Sequence, residues 1–214
     1  MKIVISCSNS KNGENLIYNN KEISFVSSPI EENKNQFNPD DKIPNESRTW
    51  RDYVNSQENS NLLESYRLYR PQIYNQLHDE YGSNLYILSA GWGIINSEFK
   101  IPKYNITFSN TADNVSRRRA TDNYQDFNHL KNIDSNEKIL FLGGIDYLWM
   151  FYNLTKDLPN EKVIFYKNEN IHRNFPFLRD EGLFNLFKYE TKTRTNWHYE
   201  CAIHLMNNNL KWNS

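Results

Sequence analysis

Four short apolar runs punctuate an otherwise polar chain: Lys2–Ile5, Leu85–Leu88, Lys138–Leu142 and Lys162–Tyr166. Each passes straight into polar or glycine-containing residues. Runs of this length without polar alternation predict strands buried on both faces. Helical spacing fills the stretches between them. Asn61–Tyr81 carries Leu62, Leu63, Tyr66, Tyr69, Ile73 and Leu77 on a 3.6-residue period. Val115–Leu130 has a fainter pattern, Gly144–Leu154 follows the third run, and Thr195–Leu210 places Trp197, Cys201, His204 and Leu205 on one face.

Strands alternating with helices predict an α/β fold, a three-layer α/β/α sandwich around a mostly parallel central sheet. Lys2–Ile5 and Lys138–Leu142 should be internal strands. The stretch from Glu14 to Asp52 breaks the rhythm. It is rich in Asn, Asp, Glu, Ser and Pro, and reads as a polar insertion that forms long ordered loops or a small hairpin around Glu22–Val26. The 214 residues then form one domain, 1–214, with a loop insertion around 14–52.

Composition narrows the setting. The formal net charge is −1, so no global basicity points to nucleic acid. The two cysteines, Cys7 and Cys201, lie far apart and match no zinc or redox spacing. The five histidines show no metal-ligand spacing, so neither a metal nor another cofactor is expected. No signal-peptide pattern or membrane-length apolar run occurs, which predicts a cytoplasmic protein without a membrane partner.

Candidate chemistry gathers at strand ends. Ser6-Cys7-Ser8-Asn9-Ser10-Lys11 follows the first strand, "SAGWGII" (Ser89–Ile95) and "IPKYNITFS" (Ile101–Ser109) follow the second, and "GGID" (Gly143–Asp146) follows the third. In a parallel sheet these loops converge on one edge, where open α/β sheets bind ligands. Trp92, Tyr104 and Phe108 are candidates to stack on a flat ligand. Arg117-Arg118-Arg119 and the mixed basic segment Lys167–Phe175 are candidates to grip phosphates.

Each feature also has a plainer role open to it. Ser8 and Asn9 suit loop caps. Gly91 and Gly93 suit a turn with positive φ, Trp92 suits the core, and the arginines suit a solvated helix start. Cys7, with His172 or His198 as base, is a candidate nucleophile, and a buried structural thiol is the alternative. No dinucleotide fingerprint, phosphate loop or nucleophile elbow is present.

The set "ISCSNSK … TWRDY … ILSAGWGII … IPKYNITF" resembles a prokaryotic domain family of unknown function over the N-terminal half. The order of strand-end loops resembles the uracil-DNA glycosylase superfamily. Asn9 falls in the first loop, "ILFLGGIDYLWMF" (Ile139–Phe151) looks like its strand-Gly-helix element, and "VIFYKNENIHRNF" (Val163–Phe175) stands where its last, histidine-bearing loop would be. The chain lacks the Gly-Gln-Asp-Pro-Tyr and His-Pro-Ser-Pro segments and the iron–sulfur cysteines. The resemblance is therefore to a remote branch, which includes small prokaryotic glycosylases acting against phage with modified bases.

That resemblance implies a DNA glycosylase that flips a modified base, glucosylated hydroxymethylcytosine being one candidate, out of double-stranded DNA and leaves an abasic site. Asn9 and His172 would be catalytic, Asn9 orienting water and His172 stabilising the departing base. Ser8, Trp92, Tyr104, Phe108 and Asp146 would hold the base. Lys11, Arg117, Arg118, Arg119, Lys167 and Arg173 would contact the DNA backbone. Two other readings fit the same residues: a non-catalytic DNA-binding protein, and a nucleosidase or deoxyribosyltransferase acting on free nucleosides or nucleotides.

Overall fold

The computed structural model describes residues 1–59, 61–167, 171–179 and 182–210, and leaves the side chains of His172, Phe177 and Arg179 undescribed. Its centre is a seven-stranded sheet built from β1 (Lys2–Ser6), β2 (Leu85–Ser89), β3 (Gly93–Asn96), β4 (Phe127–Asn128), β5 (Ile139–Leu142), β6 (Lys162–Tyr166) and β7 (Phe184–Lys188). The spatial order is β4-β3-β2-β1-β5-β6-β7. All neighbouring pairs are parallel except β2 and β3, which run antiparallel. The four apolar runs are thus β1, β2, β5 and β6, with β1 and β5 both internal as their composition requires.

Every residue of β2 and β5 is buried, so both faces of the sheet are covered. Helices α3 (Ile73–Tyr81) and α6 (Trp197–Met206) pack on each other over one face. Helix α4 (Leu148–Thr155) covers the other, where Phe151 stacks on Phe141 of β5 with ring centroids 4.4 Å apart. This division follows from right-handed crossovers that leave β1 and β5 in opposite directions.

Of the two forms open to the polar stretch, a hairpin is present, and it begins earlier than Glu22. Leu16–Tyr18 pairs with Lys21–Val26 across Asn19 and Asn20, both at positive φ (48° and 61°). That is the geometry of a tight two-residue hairpin turn, which asparagine tolerates. A capping box between Thr49 and Asp52 then starts α1 (Trp50–Asn55), whose Trp50 is buried.

Two helical expectations need correction. The predicted helix 61–81 is split: Leu63–Glu64 pairs with Lys100–Ile101, α2 (Ser65–Leu68) is one turn, and Tyr69 is extended before Pro71. Pro71 disfavours a helical conformation at Arg70, the residue before it, and Tyr69 is held extended by an antiparallel bridge to Lys11. The expected helix 115–130 does not form. Asp113 and Asp122 accept from the backbone amides of Ser116 and Arg119, and Thr107 bridges to Arg117. Such local side-chain acceptors compete with helical pairing.

Candidate active site

The chain leaves β1 toward β2 on one side and leaves β5 toward β6 on the other. The crevice beyond the carboxyl ends of β1 and β5 is therefore the topological switch point of the sheet. The Ser6–Lys11 loop and the Gly143–Tyr147 turn meet there. Cys7 Sγ lies 3.1 Å from the Tyr147 hydroxyl and accepts from the backbone amide of Ala90 at 3.4 Å. The first loop is tied down from behind: Asn12 N donates to the carbonyl of Leu68, Arg70 N to that of Ser10, and the Tyr74 hydroxyl to that of Ser6.

A buried polar cluster lies beneath this loop. The Tyr69 and Tyr104 hydroxyls share a hydrogen bond of 2.9 Å, Ser89 Oγ donates to Tyr104 at 2.9 Å, and Trp92 N donates to Ser89 Oγ. Lys11 enters the cluster with only 7% of its surface exposed, its Nζ 4.1 Å from the centroid of the Tyr104 ring. Burial pushes the Lys11 ammonium below its ordinary range. Cys7 opposes that shift and Lys103 adds to it. Burial, followed by the neighbouring Cys7, raises the hydroxyls of Tyr69, Tyr104 and Tyr147 well above theirs.

Beside Tyr147 the surface opens into a groove of about 500 Å³. Phe108 stands edge-on to both Tyr147 (5.0 Å) and Trp149 (5.3 Å), making an aromatic wall. Arg117, Arg119 and the exposed carboxylate of Asp146 line the same groove. A second cavity of about 320 Å³ lies at the ends of β5 and β6, between Gly143–Ile145 and the start of α6.

The structure sorts the residues singled out in the sequence. Phe108, Asp146, Arg117 and Arg119 come together in the groove, and Lys167 lines the second cavity. Asn9 is exposed on the first loop, while Ser8 accepts from Ser10 N and shapes that loop. Lys11 differs from the expectation, since a buried side chain among tyrosines is not placed as a surface phosphate contact. Trp92 differs too. It is 0% exposed, with Phe25, Phe127 and the Arg51 guanidinium against its ring, so it packs the core and offers no open face for a base. Tyr104 is likewise buried, and its hydroxyl is engaged internally.

Arg118 is a third departure. Its guanidinium makes a two-pronged pair with Asp126 (2.9 and 2.6 Å) and donates to the Ala90 carbonyl, so it anchors the turn rather than reaching for phosphate. Arg173 is exposed on the short helix α5 (Ile171–Asn174). The side chain of His172 and residues 168–170 of the last loop lie outside the described residues.

Sequence reasoning missed Arg51, whose buried guanidinium donates to the Gly91 and Trp92 carbonyls and pairs with Asp40. With Arg118 it holds three successive carbonyls of the turn between β2 and β3. An arginine flanked by aromatics, as in "TWRDY", was the available signal. Tyr147 and Trp149 were also missed, although both stand in the strand-Gly-helix stretch. Among the described residues no group of three or more His, Cys, Asp or Glu side chains is placed to hold a metal ion, and no helix is long and apolar enough to cross a membrane. Comparison of the chain with protein-family models, curated proteins and solved structures finds no match.

Proposed function

We propose that this protein hydrolyses an N-glycosidic bond in DNA, releasing a modified base. One observation carries the reading: a single groove beside the switch point holds an exposed carboxylate (Asp146), an aromatic wall (Phe108 and Trp149) and, beside the buried Arg118, two further arginines (Arg117 and Arg119). Glycosidic cleavage asks for these groups. The transition state resembles an oxocarbenium ion, which a carboxylate screens. Phosphates flanking a flipped nucleotide need cations, and the extruded unit needs an apolar surface.

In this scheme the bond from C1′ to the base nitrogen breaks and its electron pair leaves with the base. A water molecule oriented by Asn9 adds its oxygen to C1′, and Asp146 takes the water proton before passing it to solvent. The Arg117 and Arg119 side chains hold the flanking phosphates. The assay is incubation with duplexes carrying different modified bases, followed by hot alkali. Strand breaks at the modified position are expected, and Asp146→Asn should reduce their rate on the order of 100-fold. Intact strands across the whole panel would contradict the reading.

A second reading is cleavage of free nucleosides or nucleotides. The net charge of −1 and the nucleotide-sized groove favour it. Free base liberated from nucleosides, with DNA left intact, would select it.

A further inference from the structure

Gly144 is a glycine that the fold does not require. Its φ of −69° and ψ of 159° lie where any L residue is at ease. A Cβ added there would meet no atom of the described residues within 4 Å. It occupies the N-cap of the turn Ile145–Tyr147, where Ser, Asn or Asp would supply a cap that glycine lacks. Its neighbour behaves differently. A Cβ on Gly143 would fall 2.3 Å from Cζ of Phe141, so packing alone demands that glycine. What Gly144 contributes is open space, because it lines the cavity of about 320 Å³ at the ends of β5 and β6.

The walls of that cavity are flat and apolar: Phe141, Phe165 and Trp197 line it. Its polar edge is cationic, from Lys167 and Arg194. Lys167 also donates to the Thr193 carbonyl, which joins the end of β6 to the segment that carries Arg194. Flat apolar walls with a cationic edge suit a planar heterocycle whose carbonyl oxygens or ring nitrogens accept hydrogen bonds. The cavity adjoins the groove described above, and Ile145 lines both.

We propose that this cavity is the base pocket, with the heterocycle against the aromatic walls, Lys167 and Arg194 facing its electron-rich edge, and the sugar and phosphates in the adjoining groove. The proposal rests on the glycosidic reading and names the part of the site that reads the base. The volume matches a whole small-molecule ligand rather than a bare pyrimidine, which favours a base with a bulky substituent.

The test is occlusion. Gly144→Leu fits the backbone and fills the cavity. Gly182→Leu is the control, since a Cβ there also meets nothing among the described residues within 4 Å and the residue precedes β7 at the opposite edge of the sheet. The probes are cytidine, 5-hydroxymethylcytidine, uridine, adenosine and guanosine, titrated into ¹⁵N-labelled protein. Wild type and Gly182→Leu should show saturable shifts at Gly143, Gly144 and Ile145 with at least one probe. Gly144→Leu should keep its melting temperature and bind at least about tenfold more weakly. Gly144→Asn, which narrows the cavity while capping the turn, provides a second variant should the leucine disturb folding.

Wild-type affinity in a folded Gly144→Leu protein, shifts confined to other residues, or no binding by any probe would each overturn the pocket. Base release from modified DNA is measured in parallel. Release at equal rates by wild type and Gly144→Leu removes the pocket and leaves the glycosidic reading standing. Nucleoside binding at the pocket without any release from DNA does the reverse.

Discussion

Lys11 sits among tyrosine rings with 7% of its surface exposed, and no carboxylate among the described residues forms an ion pair with it. A buried ammonium in that position costs stability, because burial disfavours the charged form. Lys11→Met keeps the length and apolar stem of the side chain. It should raise stability by on the order of 1 kcal/mol, measured by urea unfolding. If the lysine serves the reaction, the same variant loses base release while gaining stability. A variant that is less stable would show that Lys11 is structural.

His198 supplies the pH dependence. Burial lowers its pKa to about 4, and its Nδ1 is enclosed without a hydrogen-bond partner among the described residues. The unfolded chain takes up this proton near pH 6.5 and the folded chain resists it until about pH 4, so the unfolded state binds more protons between those values. Stability is therefore full above about pH 6.5 and falls as the pH drops toward 4, by roughly 3 kcal/mol in total. His198→Gln should flatten that part of the curve. An unchanged acid slope in the variant would assign the loss to other groups.

At the scale of elements, the turn between β2 and β3 is the most constrained piece of the sheet. Gly93 has a φ of +96°, and a Cβ there would fall 2.2 Å from the Phe127 carbonyl oxygen on β4. Gly93→Ala should cost roughly 1–3 kcal/mol from the dihedral alone, with the backbone collision added to it. Thermal unfolding reads the loss directly, and a melting temperature equal to wild type would contradict the assigned geometry. Gly91, the other glycine of this turn, is held by contact: its Cβ would press on the Tyr104 ring at 3.1 Å.

The elements differ in how plainly the sequence declared them. β1, β2, β5 and β6 were legible because a strand buried on both faces must be apolar throughout. β3 is one of the strands that were not: it starts on a glycine inside a turn motif and borrows its pairing from β2. β4 is two residues long, and β7 buries only Phe184, with Leu186 and Phe187 half-buried and Asn185 and Lys188 exposed. Segment 115–130 carried helical spacing, yet its aspartates bind backbone amides and its Arg118 turns inward. Local acceptors, an ion pair within the segment (Arg118 with Asp126) and a hydrogen bond from Arg118 to the remote Ala90 carbonyl decided it, and none has a periodic signature. The candidate site divides the same way. Strand-end position pointed to Phe108 and Asp146, which come together in one groove, whereas Trp92 and Arg118 are drawn inward by Arg51, Phe25 and the Ala90 carbonyl.

For the whole molecule, a net charge of −1 and a groove carrying Arg117 and Arg119 are compatible, because positive charge can be local. DNA binding through this groove should weaken as salt rises, and Arg119→Gln should lower the slope of log affinity against log salt by about one. A slope unaffected by that change would remove Arg119 from the backbone contacts. Affinity that is flat with salt would favour the free-nucleoside substrate.

If the groove beside the β1/β5 switch point breaks a glycosidic bond, it does so through groups that act on the transition state. The most direct test is single-turnover base release from a duplex with one modified base, comparing wild type with Asp146→Asn and Asn9→Ala at matched DNA occupancy. Expected are alkali-labile sites with wild type, a loss on the order of 100-fold in both variants, and DNA affinity little changed, as for groups whose contribution falls mainly in the transition state. Wild-type rates of release in both folded variants would contradict the proposal.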